Sequence, residues 1–206
     1  MASAFAEIIA RRYDPRIQIA PPQIEAIAGA IATRQPRCNL LVFGAGHDSA
    51  LWAEINSGGQ TLFVEDNATW AAEAEAAGLT VARHDYGGIT VAASLAMPDA
   101  VIASAIVPPF LAATPWNVIL IDGPAGWRDV DPGRALPLCW AARLADPATH
   151  VFLHDCERRL EGTFARRLLL PRGPWTIIPA SGTTRQLLWS IGRSAEFTAS
   201  GQTPGP

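Results

Sequence analysis

The chain has 206 residues, 49% apolar and 17% charged, a balance that suits one packed domain and excludes a disordered or fibrous protein. Its net charge of −3 offers no electrostatic footing for nucleic acid or an anionic membrane surface. All 16 basic residues are arginine, which excludes a Schiff-base lysine and a Walker-type phosphate lysine.

In chain order, Ala6 to Thr33 reads as helix in two pieces, parted by Asp14-Pro15 and Pro21-Pro22. The second piece, from Gln23, carries Ile24, Ile27, Ala28 and Ile31 at helical spacing. The N-terminus lacks a basic stretch followed by an apolar core, so no secretory leader is expected. After a loop at Arg34–Arg37, an apolar strand from Asn39 to Phe43 runs into Gly44-Ala45-Gly46-His47-Asp48-Ser49, and a helix follows from His47 to Asn56. A second strand, Thr61–Val64, stops at Glu65-Asp66. The helix Ala68–Ala77 is closed by Gly78, and strand three, Leu79–Arg83, precedes His84-Asp85.

The low-charge window from Gly87 to Ala113 is broken by Pro98, Pro108 and Pro109 into pieces too short for a bilayer, and is expected to be buried helix and strand. Trp116–Ile121 and Val151–Leu153 are continuous apolar runs of the kind buried parallel strands show. They end in Asp122-Gly123-Pro124 and His154-Asp155, with a helix at Leu136–Leu144 between them. The arginine-rich helix Glu157–Leu170 is expected to present a solvated face with i,i+4 ion pairs. Trp175–Ile178 and Leu187–Ile191 would close the sheet as an antiparallel pair. Strand and helix alternation predicts a doubly wound, Rossmann-like α/β domain over residues 38–196, a helical segment over 1–37 and a disordered tail over 197–206. The three cysteines, Cys38, Cys139 and Cys156, lack metal-ligand spacing and read as free thiols in a reducing, cytoplasmic setting.

In such a sheet, ligands sit beyond the carboxyl ends of the strands. A glycine turn paired with an acid at the next strand end, 19 residues after Gly46, points to a nucleoside held by the turn with its ribose on Glu65. The expected ligand-binding set is Phe43, Gly44, Ala45, Gly46, Asp48, Ser49, Glu65, Asp66, Asp85 and Asp122. A dinucleotide site would place pyrophosphate at the helix start, where Asp48 would repel it. Asp48 suits instead a cationic amino group, as in S-adenosylmethionine, unless it merely caps the helix. The missing third glycine of GxGxxG also disfavours a dehydrogenase.

Leu41–Trp52, Leu62–Trp70, Ile121–Trp127 with Pro132-Gly133-Arg134, and Val151–Glu161 resemble the glucuronoxylan 4-O-methyltransferase family of plant cell-wall enzymes, in order from about residue 39 to about residue 170. The sequence departs from that family at Gly123, Ala125 and Trp127 and after strand three, and a membrane anchor like that of the plant enzymes is not expected in it. The resemblance implies a class I S-adenosylmethionine-dependent methyltransferase acting on a hydroxyl of a sugar, uronate or other small polar acceptor.

On that reading His154 and Asp155 are the first candidates for the base, histidine because it titrates near neutrality. Asp122 could contact the donor, orient the acceptor, or share a divalent ion with Asp155. His47, Trp127, Arg128 and Arg134 are placed at the acceptor, the arginines as forks for a carboxylate. Trp52 and Trp127 are candidates to line the cleft. Nitrogen methylation, another alkyl transfer, or a non-catalytic cofactor-binding module stay open beside this reading, and a homo-oligomer is compatible with it.

Overall fold

A computed structural model describes residues 5–180 and 185–191. The predicted tail lies outside the described residues. The elements are α1 (Ala6–Arg12), α2 (Pro21–Ala32), β1 (Asn39–Phe43), α3 (Ser49–Ile55), β2 (Gln60–Glu65), α4 (Ala68–Ala76), β3 (Val81–Arg83) and α5 (Val91–Ala96). They continue through α6 (Pro98–Ser104), α7 (Pro109–Ala112), β4 (Val118–Ile121), α8 (Ala135–Leu144), β5 (His150–His154), α9 (Arg159–Leu168), β6 (Trp175–Pro179) and β7 (Gln186–Ile191).

The strands form one sheet in the order β3-β2-β1-β4-β5-β7-β6. The first five are parallel, and β7 lies antiparallel to both β5 and β6. The order reverses between β1 and β4, so the crevice that collects ligands opens beyond Phe43 and Ile121.

Strand pleating explains why the central runs are apolar without interruption. Leu40, Val42, Val118, Leu120 and Phe152 face one core, which they share with α1, α2 and α3. Leu41, Phe43, Ile119, Ile121, Val151 and Leu153 face the other, beneath α8 and α9. Helix α2 starts two residues earlier than expected, because Pro21 sits where the missing N–H costs nothing. Gln23, fully buried, accepts from the Ala20 N–H at 3.0 Å and donates to the Ile178 carbonyl at 2.9 Å, tying α2 to β6.

The Gly87–Ala113 window differs from expectation. It contains no strand; it folds as the short helices α5, α6 and α7, and α6 buries none of its residues. Each proline that excludes a membrane span also starts or precedes a new short helix, leaving Met97 and Ile106 exposed. Among the described residues no helix is long and apolar enough to cross a membrane. The cysteines are free thiols, Cys38 and Cys139 buried.

Candidate functional site

The carboxyl ends of β1, β2 and β4 surround a cavity of about 290 Å³. Gly44, Ala45, Gly46, His47 and Asp48 form one wall, Glu65 and Asp66 another, and Asp122, Trp127 and Arg134 a third. Gly44 adopts φ +103°, and a Cβ there would stand 2.9 Å from the Gly123 nitrogen. A Cβ on Gly123 would stand 2.7 Å from the Gly44 Cα. The β1 and β4 loops therefore touch backbone to backbone, which only glycine at both positions permits.

Glu65 stiffens the turn from below. Its Oε2 accepts from the Ala45 N–H at 2.6 Å and its Oε1 from the Asn67 N–H at 2.7 Å. Each carboxylate oxygen keeps acceptor capacity for a ligand hydroxyl. Burial, only partly offset by these two backbone bonds, pushes the Glu65 carboxyl above its usual range. Helix α3 begins at Ser49 and not at His47, because His47 and Asp48 belong to the turn and the Ser49 Oγ accepts from the Gly46 N–H at 2.9 Å.

Asp48 occupies the position before the helix but makes no capping bond; its Oδ2 accepts from Trp52 Nε1 at 2.8 Å. Burial and the neighbouring Asp122 push its carboxyl up to about 6. Asp122 moves the other way. Burial alone would raise it, but His154 Nδ1 at 2.8 Å and the cations of Arg134 and Arg158 outweigh that, and its carboxyl is held below the ordinary range.

Several expected site residues stand elsewhere. Phe43 and Ser49 are buried under the turn and do not reach the cavity surface. Asp85 is exposed outside this cavity and accepts from the Gly87 N–H at 2.8 Å. Trp52 is fully buried, so only Trp127 of the two tryptophans lines the cleft. Arg128 is engaged by Asp131, with Nε at 2.9 Å and Nη2 at 2.7 Å, and is not an open carboxylate fork.

Arg134 is the largest correction. It is 3% exposed, and its guanidinium donates to the carbonyls of Asp122 and His154, clasping the ends of β4 and β5. It also lies 3.2 Å from Asp122 Oδ1 and 3.2 Å from Asp155 Oδ2.

His154 and Asp155 are both 0% exposed and stand behind Asp122, which alone of the three lines the cavity. Asp155 takes φ +55°, a left-handed conformation aspartate tolerates, and faces Arg158 Nη2 at 2.6 Å and Arg185 Nη1 at 3.5 Å. Arg158 is thus a half-buried partner of Asp155 and not part of a solvated face. Glu161, also expected on that face, is fully buried.

Ligand atoms of Asp122, His154 and Asp155 lie within 4.8 Å of one another, a spacing a metal could use. Arg134 and Arg158 already pair the two carboxylates, and a divalent cation would meet both guanidinium charges. The residues fit an ion-pair network and not a metal site.

Sequence inspection missed Arg16, Ile17, Gln18 and Trp70, which complete the cavity. They come from the α1–α2 connection and from α4 and carry no motif. The His47–Trp70 edge contact at 4.9 Å forms only once β1 and β2 lie side by side.

A sequence model of the IRX15/IRX15L/GXM family matches residues 22–96 and 87–173. The chain is 30% identical to Protein IRREGULAR XYLEM 15 of Arabidopsis thaliana, over 74% of its own length and 56% of that protein's. It is 32% identical to Arabinogalactan O-methyltransferase 2 (64% and 55% covered) and 29% identical to Glucuronoxylan 4-O-methyltransferase 3 (70% and 56% covered), both from the same plant. The chain spans about half the length of these relatives. In fold it is similar to human Methyltransferase-like protein 13, solved in complex with SAH (TM-score 0.54, 16% identity, 86% and 85% covered). The human methyltransferase 10 domain containing protein is similar in the same way (TM-score 0.53, 11% identity, 87% and 85% covered). The sheet is thus the Rossmann-like one of class I methyltransferases.

Proposed function

We infer that this chain, which belongs to the IRX15/IRX15L/GXM family, transfers a methyl group from S-adenosylmethionine to a hydroxyl of a sugar, uronate or other small polar molecule. The observation that carries this reading is the charge of the first cavity. Four carboxylates, Asp48, Glu65, Asp66 and Asp122, line it against the guanidinium groups of Arg16 and Arg134. Arg16 is itself neutralised by Asp14, with Nη2 at 2.6 Å, and Arg134 is turned toward main-chain carbonyls. Such a surface repels a pyrophosphate and attracts a ligand bearing ammonium and sulfonium charges. The relatives named as O-methyltransferases of arabinogalactan and glucuronoxylan support a saccharide acceptor.

When bound, the donor supplies an electrophilic methyl group. Gly44–Gly46 would cradle it, Glu65 would accept from its ribose hydroxyls, and Asp48 would pair with its ammonium, all of them residues that line the first cavity. Asp122 would accept the proton of the acceptor hydroxyl as its oxygen takes the methyl group and the donor sulfur keeps the pair of the broken S–CH3 bond, and His154 holds the Asp122 carboxylate in place through Nδ1. S-adenosylhomocysteine binding measured by calorimetry tests the reading; no binding at millimolar ligand sinks it. Glu65→Ala is expected to weaken that binding by about 1–3 kcal/mol, through loss of the ribose bonds. An unchanged affinity would move the ribose contact elsewhere.

The pH dependence has a definite sign. The Asp48 carboxyl rises from 3.8 to about 6 in the fold, so the stability its proton contributes is present below 3.8 and is lost as pH rises through about 6. Only the deprotonated form attracts an ammonium, which stays charged to about pH 8. Affinity for S-adenosylhomocysteine should therefore strengthen as pH is raised through about 6, and Asp48→Asn should flatten the profile. A wild-type affinity independent of pH across that range rules out the ammonium contact.

A further inference from the structure

S-adenosylmethionine carries a carboxylate on the same carbon as its ammonium group, and an anion drawn into a cleft needs a cation or several N–H donors. Three side chains on the wall of the first cavity can carry positive charge: Arg16, His47 and Arg134. Arg134 is buried, and its two Nη groups are taken by the carbonyls of Asp122 and His154 and by the carboxylates of Asp122 and Asp155. His47 stands edge-on to Trp70 and offers, when neutral, one ring N–H where a carboxylate accepts two parallel bonds. Arg128, Arg158 and Arg159 line a second cavity beyond Trp127 and not this one. Arg16 is the cation that remains.

Arg16 belongs to the connection between α1 and α2, which supplies Arg16, Ile17 and Gln18 to the cavity wall. Ile17 and Ile19 are 6% and 0% exposed and anchor the connection in the core shared by α1, α2 and α3, while Arg16 and Gln18 stay at the surface. Gln18 Oε1 accepts from Arg185 Nη1, and the Arg185 guanidinium carbon stands 5.2 Å from the Trp127 ring centroid. That end of the connection is thus tied to the loop after β4. The other end meets the glycine turn. The Asp14 carboxyl is held below its ordinary range first by bonds from Arg16 and, more weakly, by the charge of His47, the neighbour of Asp48. Arg16 therefore stands at the turn end, where Asp48 would take the ammonium.

Asp14 holds Arg16 through Nε at 3.0 Å and Nη2 at 2.6 Å, with the two side chains 33% and 66% exposed. An ion pair open to water contributes little, so its arginine is readily drawn to a second carboxylate in a less hydrated position. We propose that Arg16 exchanges Asp14 for the carboxylate of the donor, so that the amino-acid end of the donor is held as a zwitterion between Arg16 and Asp48 and the α1–α2 connection becomes part of the donor site. The proposal rests on the methyl-transfer reading above and adds to it the residue that selects a donor with an intact amino-acid end.

Calorimetric titration of S-adenosylhomocysteine and of its decarboxylated analogue, which keeps the amine, tests it on wild type, Arg16→Ala and Asp14→Asn. Wild type is expected to bind S-adenosylhomocysteine about tenfold tighter than the analogue. Arg16→Ala should abolish that preference by weakening S-adenosylhomocysteine alone, and the unchanged affinity for the analogue shows that the variant is folded. Asp14→Asn removes the competing carboxylate and should strengthen S-adenosylhomocysteine binding a few-fold while leaving the analogue unaffected. A preference retained by Arg16→Ala, or absent from wild type, overturns the proposal and leaves the donor reading standing. Loss of both ligands from Arg16→Ala overturns it too, since the arginine would then shape the cleft without reading the carboxylate. Weaker S-adenosylhomocysteine binding by Asp14→Asn would make Asp14 a support for Arg16 and overturn the exchange. Failure of wild type to bind either ligand strikes the donor reading first and this proposal with it.

Discussion

Asp122→Asn is expected to lower turnover by about two to four orders of magnitude, well beyond any loss of donor affinity from the missing charge. Asp122 is the member of the Asp122–His154–Asp155 group that reaches the cavity, and asparagine keeps its shape while removing its capacity to accept a proton. The effect should fall on kcat more than on KM, because the proton moves only as the methyl group is transferred. His154 acts one step back. Its ring is fully buried, and its contact with the cavity runs through Asp122 Oδ1. Single-turnover rates for Asp122→Asn within a few-fold of wild type would remove Asp122 from the reaction and return the base to an unassigned group.

Arg134→Met should carry the largest stability cost of any single substitution proposed for this protein. Methionine matches much of the volume but deletes a guanidinium bonded to two main-chain carbonyls and to the carboxylates of Asp122 and Asp155. Breaking a buried pair by removing one partner costs about 3–5 kcal/mol, which in a domain of this size lowers Tm by roughly 6–20 °C. The pH dependence reports on Asp122, whose carboxyl is lowered by His154 first and by Arg134 after it. Because the Asp122 carboxyl is held below 3.8 in the fold, its contribution is present above 3.8 and is lost as pH falls through the lowered value. The deficit of the variant should therefore be full near neutrality and shrink in acid. A melting temperature within about 2 °C of wild type would mean that water takes over the arginine's bonds.

The strands were legible because parallel strands buried on both faces leave continuous apolar runs, and Asn39–Phe43 appears with the same limits in the sequence and in the fold. The grouping of the glycine turn with Glu65 around one cavity was legible for a related reason. Gly44, Gly46 and Glu65 lie at the ends of neighbouring strands, so spacing along the chain maps directly onto distance across the site. The window from Gly87 to Ala113 misled because low charge resembles burial, whereas its prolines set the structure.

Arg158 and Glu161 were misassigned because their i,i+3 spacing fits a solvated helix face as well as a buried one. Only the packing of α9 against α8 and α5 selects between them. Nothing near Arg134 announces burial. Its partners come from β4 and β5, and that adjacency is a property of the sheet order and not of any segment.

The contact between Gly44 and Gly123 has a consequence for how such proteins can diverge. Each glycine is required by the other's backbone, so a side chain at one position is tolerated only after the opposite loop has withdrawn. Withdrawal would carry Asp122 away from the donor turn. A side chain at either position is therefore expected only together with a shift of the opposite loop, which would change the spacing between the glycine turn and Asp122.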